Sequence, residues 1–115
     1  MNEPPVDLLA ESEGRIRDSL QRANSADEIE RLADEIGERL MVAAVPELLE
    51  KLTRDSVRGD DDAFDAVCGA LVRFGVMRFK GNLNFQFRPY LELPASLATA
   101  LQMARPALPS YLFPE

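Results

Sequence analysis

The sequence predicts an α+β fold that is mostly helical: a helical hairpin, a helix–helix–β-hairpin unit, and a short C-terminal helix with an irregular tail. Three observations predict it. Apolar residues recur at helical spacing through most of the first 74 positions, and Gly75 halts the last of those stripes. Beyond it, apolar and polar residues alternate on either side of Lys80-Gly81-Asn82, the period of a strand. A chain of 115 residues is one domain by length and can bury a core without disulfides or metal. Within residues 1–115 we divide an acidic helical hairpin (1–45), the helix–helix–β-hairpin unit (46–93) and the helix with a proline-rich apolar tail (94–115).

Each element has a local reason. Pro4-Pro5 opens a first helix, because proline is tolerated in the first turn, and Val6, Leu9, Ile16 and Leu20 form its thin stripe. Ser25-Ala26-Asp27-Glu28 reads as a capping box for a second helix that carries Ile29, Leu32, Ala33, Ile36, Leu40 and Ala43 on one face. Pro46 breaks that run and starts a third helix, Glu47 to Arg54, with Leu48, Leu49 and Leu52 inward. A turn over Asp55 to Asp60 leads to a helix over 61–74, with carboxylates at its positive end and Phe64, Val67, Cys68 and Leu71 toward the core. In the ribbon, Met77, Phe79, Leu83, Phe85, Phe87 and Leu91 share one face. A three-residue loop over Lys80-Gly81-Asn82, with Gly81 or Asn82 at positive φ, pairs Phe79 with Leu83 and Met77 with Phe85. Pro89 makes the second strand an edge. A short helix over Leu97 to Ala104 follows and ends at Pro106.

The run Ala70-Leu71-Val72-Arg73-Phe74-Gly75-Val76-Met77, then Gly81, then Phe85-Gln86-Phe87-Arg88-Pro89, resembles the end of a winged helix-turn-helix domain. The resemblance covers residues 46–93. It implies a winged-helix-like unit in which 47–54 is the second helix, 61–74 the recognition helix and the ribbon the wing. DNA-reading helices present Arg, Lys, Asn, Gln or Ser to base edges. The outward positions here are Asp61, Asp62, Asp65, Ala66, Gly69, Ala70 and Arg73. Carboxylates repel phosphate, and the small residues suit close approach of another helix, so the resemblance implies protein binding rather than DNA reading.

The charge is divided. Residues 1–65 carry 18 Asp/Glu and 8 Lys/Arg, a balance of −10, and residues 66–115 carry 2 and 5, a balance of +3. The first half repels nucleic acid and acidic membrane surfaces and suits a basic partner. The polar face of the ribbon, with Arg78, Lys80, Asn82, Asn84, Gln86, Arg88 and Tyr90, is the candidate for anion or nucleic-acid binding; Arg78, Lys80, Asn84, Gln86 and Arg88 are its best residues. The competing reading is a solvated strand face. Leu108, Tyr111, Leu112 and Phe113 place a large apolar load in a segment that proline keeps irregular, which makes them a candidate partner-binding patch. The competing reading is that they fold back onto their own core.

Catalytic chemistry is sparse. There is no histidine, the commonest general base. Cys68 lies on an apolar helix face without an adjacent base, which reads as an inert core cysteine, and a single cysteine forms no intrachain disulfide. Asp60-Asp61-Asp62 lacks the further ligands of a calcium loop, so helix capping is its reading. Pro106-Ala107-Leu108-Pro109 is a minimal PxxP of little weight. No cofactor or metal is expected, and no enzyme. The N-terminus lacks the basic start and apolar run of a secretory signal, and no apolar run spans a bilayer, so the expected compartment is the cytoplasm with no membrane partner. The first functional expectation is a non-catalytic protein-interaction or assembly module, an adaptor or accessory subunit that binds a protein partner or itself as a homo-oligomer. The second is a nucleic-acid-binding regulator using the ribbon. The third is an acidic inhibitor that occupies a basic groove of a nucleic-acid-binding protein.

Overall fold

Capping chemistry delimits the helices. The computed structural model describes residues 6–113, with side chains from Ser12 onward, so Pro4-Pro5 and the side chains of the stripe positions Val6 and Leu9 lie outside what is described. Helix α1 (Val6–Arg22) turns through Ala23-Asn24-Ser25 into α2 (Ala26–Glu38), where the Ser25 hydroxyl accepts the Glu28 amide at 3.2 Å. Pro46 sits in the first turn of α3 (Val45–Leu52). The segment expected as a turn contains a one-turn helix, α4 (Asp55–Arg58), closed by an ion pair between Asp55 and Arg58. Asp60 caps α5 (Asp61–Arg73) by accepting the Ala63 amide at 3.0 Å. Strands β1 (Met77–Phe79) and β2 (Phe85–Phe87) form a two-stranded antiparallel sheet, and α6 (Ala95–Ala104) follows a 3₁₀ turn at Tyr90–Glu92. The fold is α+β and mostly helical.

Two helices end in the same way with different residues. After α5, Gly75 adopts φ +80°, Val76 donates to the Leu71 carbonyl at 2.9 Å and Gly75 to that of Val72 at 3.0 Å. This is a Schellman ending. After α2, Met41 donates to Ile36 at 3.0 Å and Leu40 to Gly37 at 3.2 Å, with Leu40 in the glycine position at φ +55°. The second helix therefore stops at Glu38, short of the expected stripe. Leu40 and Ala43 leave the inner face and are exposed, and Met41 and Ala44 take their place in the core.

The ribbon keeps the expected face and shifts its pairing. Met77 pairs with Phe87, Arg78 with Gln86 and Phe79 with Phe85. Lys80 donates to the Asn84 carbonyl at 2.7 Å, so the three-residue loop is Gly81-Asn82-Leu83, one position later than expected. All three residues have positive φ. Moving the loop by one residue moves the register by two, which preserves side-chain parity. Met77, Phe85 and Phe87 are buried as expected, but Phe79 is 57% exposed and Leu91 99% exposed.

Two contacts organise the helices. α2 and α5 run side by side in the same direction, Gly37 lying against Ala70 and Arg73. A Cβ at Gly37 would meet the Ala70 Cβ at 3.3 Å, so any larger residue there obliges α5 to give by a few tenths of an ångström. The second contact joins α1 to α3. Lys51 is wholly buried, and its Nζ donates to the Ala23 carbonyl at 2.9 Å and that of Gln21 at 3.3 Å. It thereby satisfies acceptors at the negative end of α1. One turn earlier, Glu47 accepts from Arg17 Nη2 at 2.9 Å and Gln21 Nε2 at 3.0 Å.

Chemical denaturation checks both contacts. Gly69→Ala, in the middle of α5 with nothing within 4 Å of the new Cβ, is expected to stabilise the fold by about 0.5–1 kcal/mol. Gly37→Leu must push α2 and α5 away from each other and is expected to cost about 1–3 kcal/mol. Lys51→Met, which keeps the apolar stem and removes the donor, is expected to cost about 1–3 kcal/mol by leaving the carbonyls of Gln21 and Ala23 without it.

Candidate interaction surfaces

On the polar face of the ribbon, cross-strand pairing brings Arg78 beside Gln86, and the Arg88 amide extends the ladder to the Val76 carbonyl at 2.9 Å. The turn at Tyr90–Glu92 then folds Glu92 back beneath both arginines. Its Oε1 accepts from Arg78 at 2.8 Å and Arg88 at 3.3 Å. The hydrogen bond from Arg78 is the main cause that holds the Glu92 carboxyl below the usual carboxylate range, with the Arg78 charge and Arg88 adding to it and burial opposing them. The Arg88 Nε is buried without a partner. Lys80 and Asn84 stand apart at the tip, where their main chains close the loop. Of the three cations expected on this face, two are committed to one carboxylate. The Arg88–Glu92 spacing of four residues was visible in sequence; the Arg78 contact depends on the turn.

The tail folds onto its own chain. Leu108, Leu112 and Phe113 are buried, and the Phe113 ring lies 5.0 Å from that of Phe87. Arg105 covers this corner, its guanidinium 4.3 Å from the Phe113 ring centroid and its Nη1 donating to the Tyr90 hydroxyl at 3.1 Å. Of the four apolar tail residues, Tyr111 is the one left exposed. The apolar load therefore meets the chain's own core, because two 3₁₀ turns, Arg105–Ala107 and Ser110–Leu112, turn Leu108, Leu112 and Phe113 of a proline-rich segment inward.

A further surface joins α2, α5 and the ribbon. Ala66 and Ala70, expected to face outward, are buried under α2, while Asp65, Gly69 and Arg73 remain at the surface of α5. On one side of that row lies a hollow of about 330 Å³ shared with Val72, Phe79 and Phe85. On the other lies a groove of about 190 Å³ shared with Ala33, Asp34, Gly37 and Glu38. The two meet across Gly69. Phe79 stacks at a tilt on Phe85, 5.2 Å between centroids, and its outer surface is bare. No sequence pattern separated it from the buried ring positions of the same parity.

Carboxylates crowd this surface. Burial, then the charges of Glu38 and Asp65, push the Asp34 carboxyl above the usual range, and Arg73 offsets part of that. Partial burial, then Asp62, Asp34, Asp27 and Asp60, do the same to Glu30. The spacing Asp27, Glu30, Asp34, Glu38 along α2 was legible as one helical row; its opposition to a second row on α5 was not. Cys68 lies beneath, with burial pushing its thiol far up, so it is no nucleophile at neutral pH. Among the described residues no three His, Cys, Asp or Glu side chains stand together to hold a metal ion, and no helix is long and apolar enough to cross a membrane. No family model, no curated protein and no solved structure matches the chain.

The two carboxylate environments act in opposite directions on stability. The folded pKa of Asp34 lies above its unfolded value, so its ionisation costs stability as pH rises through the folded value. That of Glu92 lies below, so its contribution is present above the unfolded pKa and lost as pH falls through the folded one. In urea titrations at neutral pH, Asp34→Asn is expected to stabilise by no more than about 0.5 kcal/mol, given its exposure, and Glu92→Gln to destabilise. Both differences should shrink as pH falls through the carboxylate range.

Proposed function

We propose that this chain is a non-catalytic protein-interaction module, an adaptor or accessory subunit that works by binding a partner protein or a second copy of itself. The observation that carries the reading is Phe79. It belongs by register to the core face of the ribbon, yet more than half of it is bare beside the open row at Gly69. Such an exposed aromatic, rimmed by charged residues, is the composition of a protein contact surface. The order α3, α4, α5 and ribbon supports a winged-helix-like unit over 46–93. In such a unit α2 covers the small-residue face of α5, and carboxylates occupy the leading turn, which argues for protein contact over DNA reading.

The opposing reading, nucleic-acid binding by the ribbon, has less support. Arg78 and Arg88 are held by Glu92, which leaves Lys80 as the cation on that face outside any ion pair among the described residues. Both readings are tested with the full chain. Sedimentation velocity and tagged capture are expected to show self-association or stoichiometric retention of a protein. Fluorescence anisotropy with duplex and single-stranded DNA and RNA is expected to show no binding at low salt. A monomer that retains no protein overturns the proposal, and micromolar, steeply salt-dependent nucleic-acid binding replaces it with the ribbon reading.

A further inference from the structure

The open row on α5 has three properties that together specify an occupant. The first is shape. Asp65, Gly69 and Arg73 line both the hollow at Phe79 and the groove between α2 and α5, so the two form one trough that crosses α5 at Gly69. A Cβ built at Gly69 meets nothing within 4 Å, so this glycine does not serve internal packing, unlike Gly37. The gap it leaves faces outward.

The second property is apolarity at one end. Val72, Phe79 and Phe85 line the hollow, and Phe79 offers the exposed ring. The third is charge at the other end. Asp34 and Glu38 line the groove from α2 and Asp65 from α5, with Arg73 as the cation among the lining residues. Glu30 and Asp62 extend the two acidic rows toward the helix N-termini, close enough to influence each other. Burial first, then the charges of neighbouring carboxylates in both rows, hold the carboxyls of Asp34 and Glu30 above their ordinary range, and positive charge added to the groove would offset the second cause.

We propose that this trough docks a basic amphipathic helix of a partner protein, with an apolar side chain seated beside Phe79 over Gly69 and Lys or Arg side chains laid against the carboxylate rows. The proposal rests on the interaction-module reading and names the partner's chemistry. Phosphate backbones are repelled by the same carboxylates. A second copy of the chain is a poorer fit. Apart from Lys80 at the ribbon tip, the cations of its ribbon and tail are spent in cis, Arg78 and Arg88 on Glu92 and Arg105 on Tyr90 and Phe113. Helix-in-groove recognition needs an apolar anchor and a complementary rim, and both are present on one face.

The test uses the full chain and a synthetic peptide of about 18 residues, long enough to become helical, with leucine on one face and lysine and arginine on the other. A control peptide carries glutamate in place of the basic residues. Binding is followed by anisotropy and by NMR shifts of the ¹⁵N-labelled chain. Expected are shifts centred on Asp34, Asp65, Gly69, Arg73 and Phe79, affinity that falls with salt, and no binding of the control. Gly69→Gln, which fills the trough at an open helical position without disturbing the fold, should weaken binding at least about tenfold. Phe79→Ser should do the same, with thermal melting reporting whether each variant remains folded. Absence of peptide binding, shifts confined to another face, or binding indifferent to Gly69→Gln overturns the proposal. So does a dimer of the chain that Gly69→Gln dissociates, because the trough then belongs to a second copy. If the peptide fails while tagged capture still retains a partner, this face is lost and the interaction-module reading stands; if capture fails too, both are lost.

Discussion

The contact between Gly37 on α2 and Ala70 on α5 decides most of what this protein presents to its surroundings. Because a glycine meets an alanine there, the two helices lie close and parallel, and α2 covers Ala66 and Ala70. Larger side chains would hold the helices apart and leave α5 free on that side. The close approach has an electrostatic consequence. It lays the acidic row of α2 beside that of α5, so carboxylates from different regions of the chain share one strip of surface. It also leaves α5 to carry the ribbon on its far flank, which sets Phe79 beside Gly69.

Charge is compensated unevenly across the molecule. Where the chain is basic, most cations other than Lys80 are matched nearby: Arg78 and Arg88 by Glu92, Arg105 by two aromatic rings. Where α1 meets α3, Arg17 and Lys51 are matched by Glu47 and by main-chain carbonyls. The strip between α2 and α5 is the exception, with Arg73 facing several carboxylates. The net charge of −7 is therefore not spread over a uniform solvated surface. Local pairing concentrates the effective negative potential where the apolar hollow opens.

Most of the secondary structure was legible because local chemistry specified it. Ser25, Asp60 and Pro46 mark helix starts, and Gly75 marks a stop, each for a reason confined to a few residues. Leu40 shows where that legibility ends. It makes the same Schellman turn as Gly75, but a leucine at positive φ carries no local signal, so the stripe reads on to Ala43. The ribbon is a subtler case. Side-chain alternation distinguishes odd from even registers and is blind to a shift of two, and Leu83 at φ +63° again gives no warning. The candidate sites were less legible than the elements. The tail's destination depends on the Phe87 ring that Phe113 packs against and on Arg105 as a cover, and the pairing of Arg78 with Glu92 depends on a 3₁₀ turn. The trough is made by two helices whose facing residues are far apart in sequence, Asp34 with Asp65 and Gly37 with Ala70, so its components are visible in sequence only as unrelated acidic and small residues.

Lys51 bears on how the molecule comes apart. Its ammonium is sealed beneath the last turn of α1, and the acceptors at Gln21 and Ala23 belong to the backbone of that helix. Were α1 to lift away alone, the charge would lose those acceptors while α3 stayed in the core. The same movement breaks the Glu47 pairs to Arg17 and Gln21, and leaves Glu50, 3.4 Å from the ammonium, as the partner of Lys51 on α3 itself. The last turns of α1 are thus held to α3 by several polar contacts that are lost together.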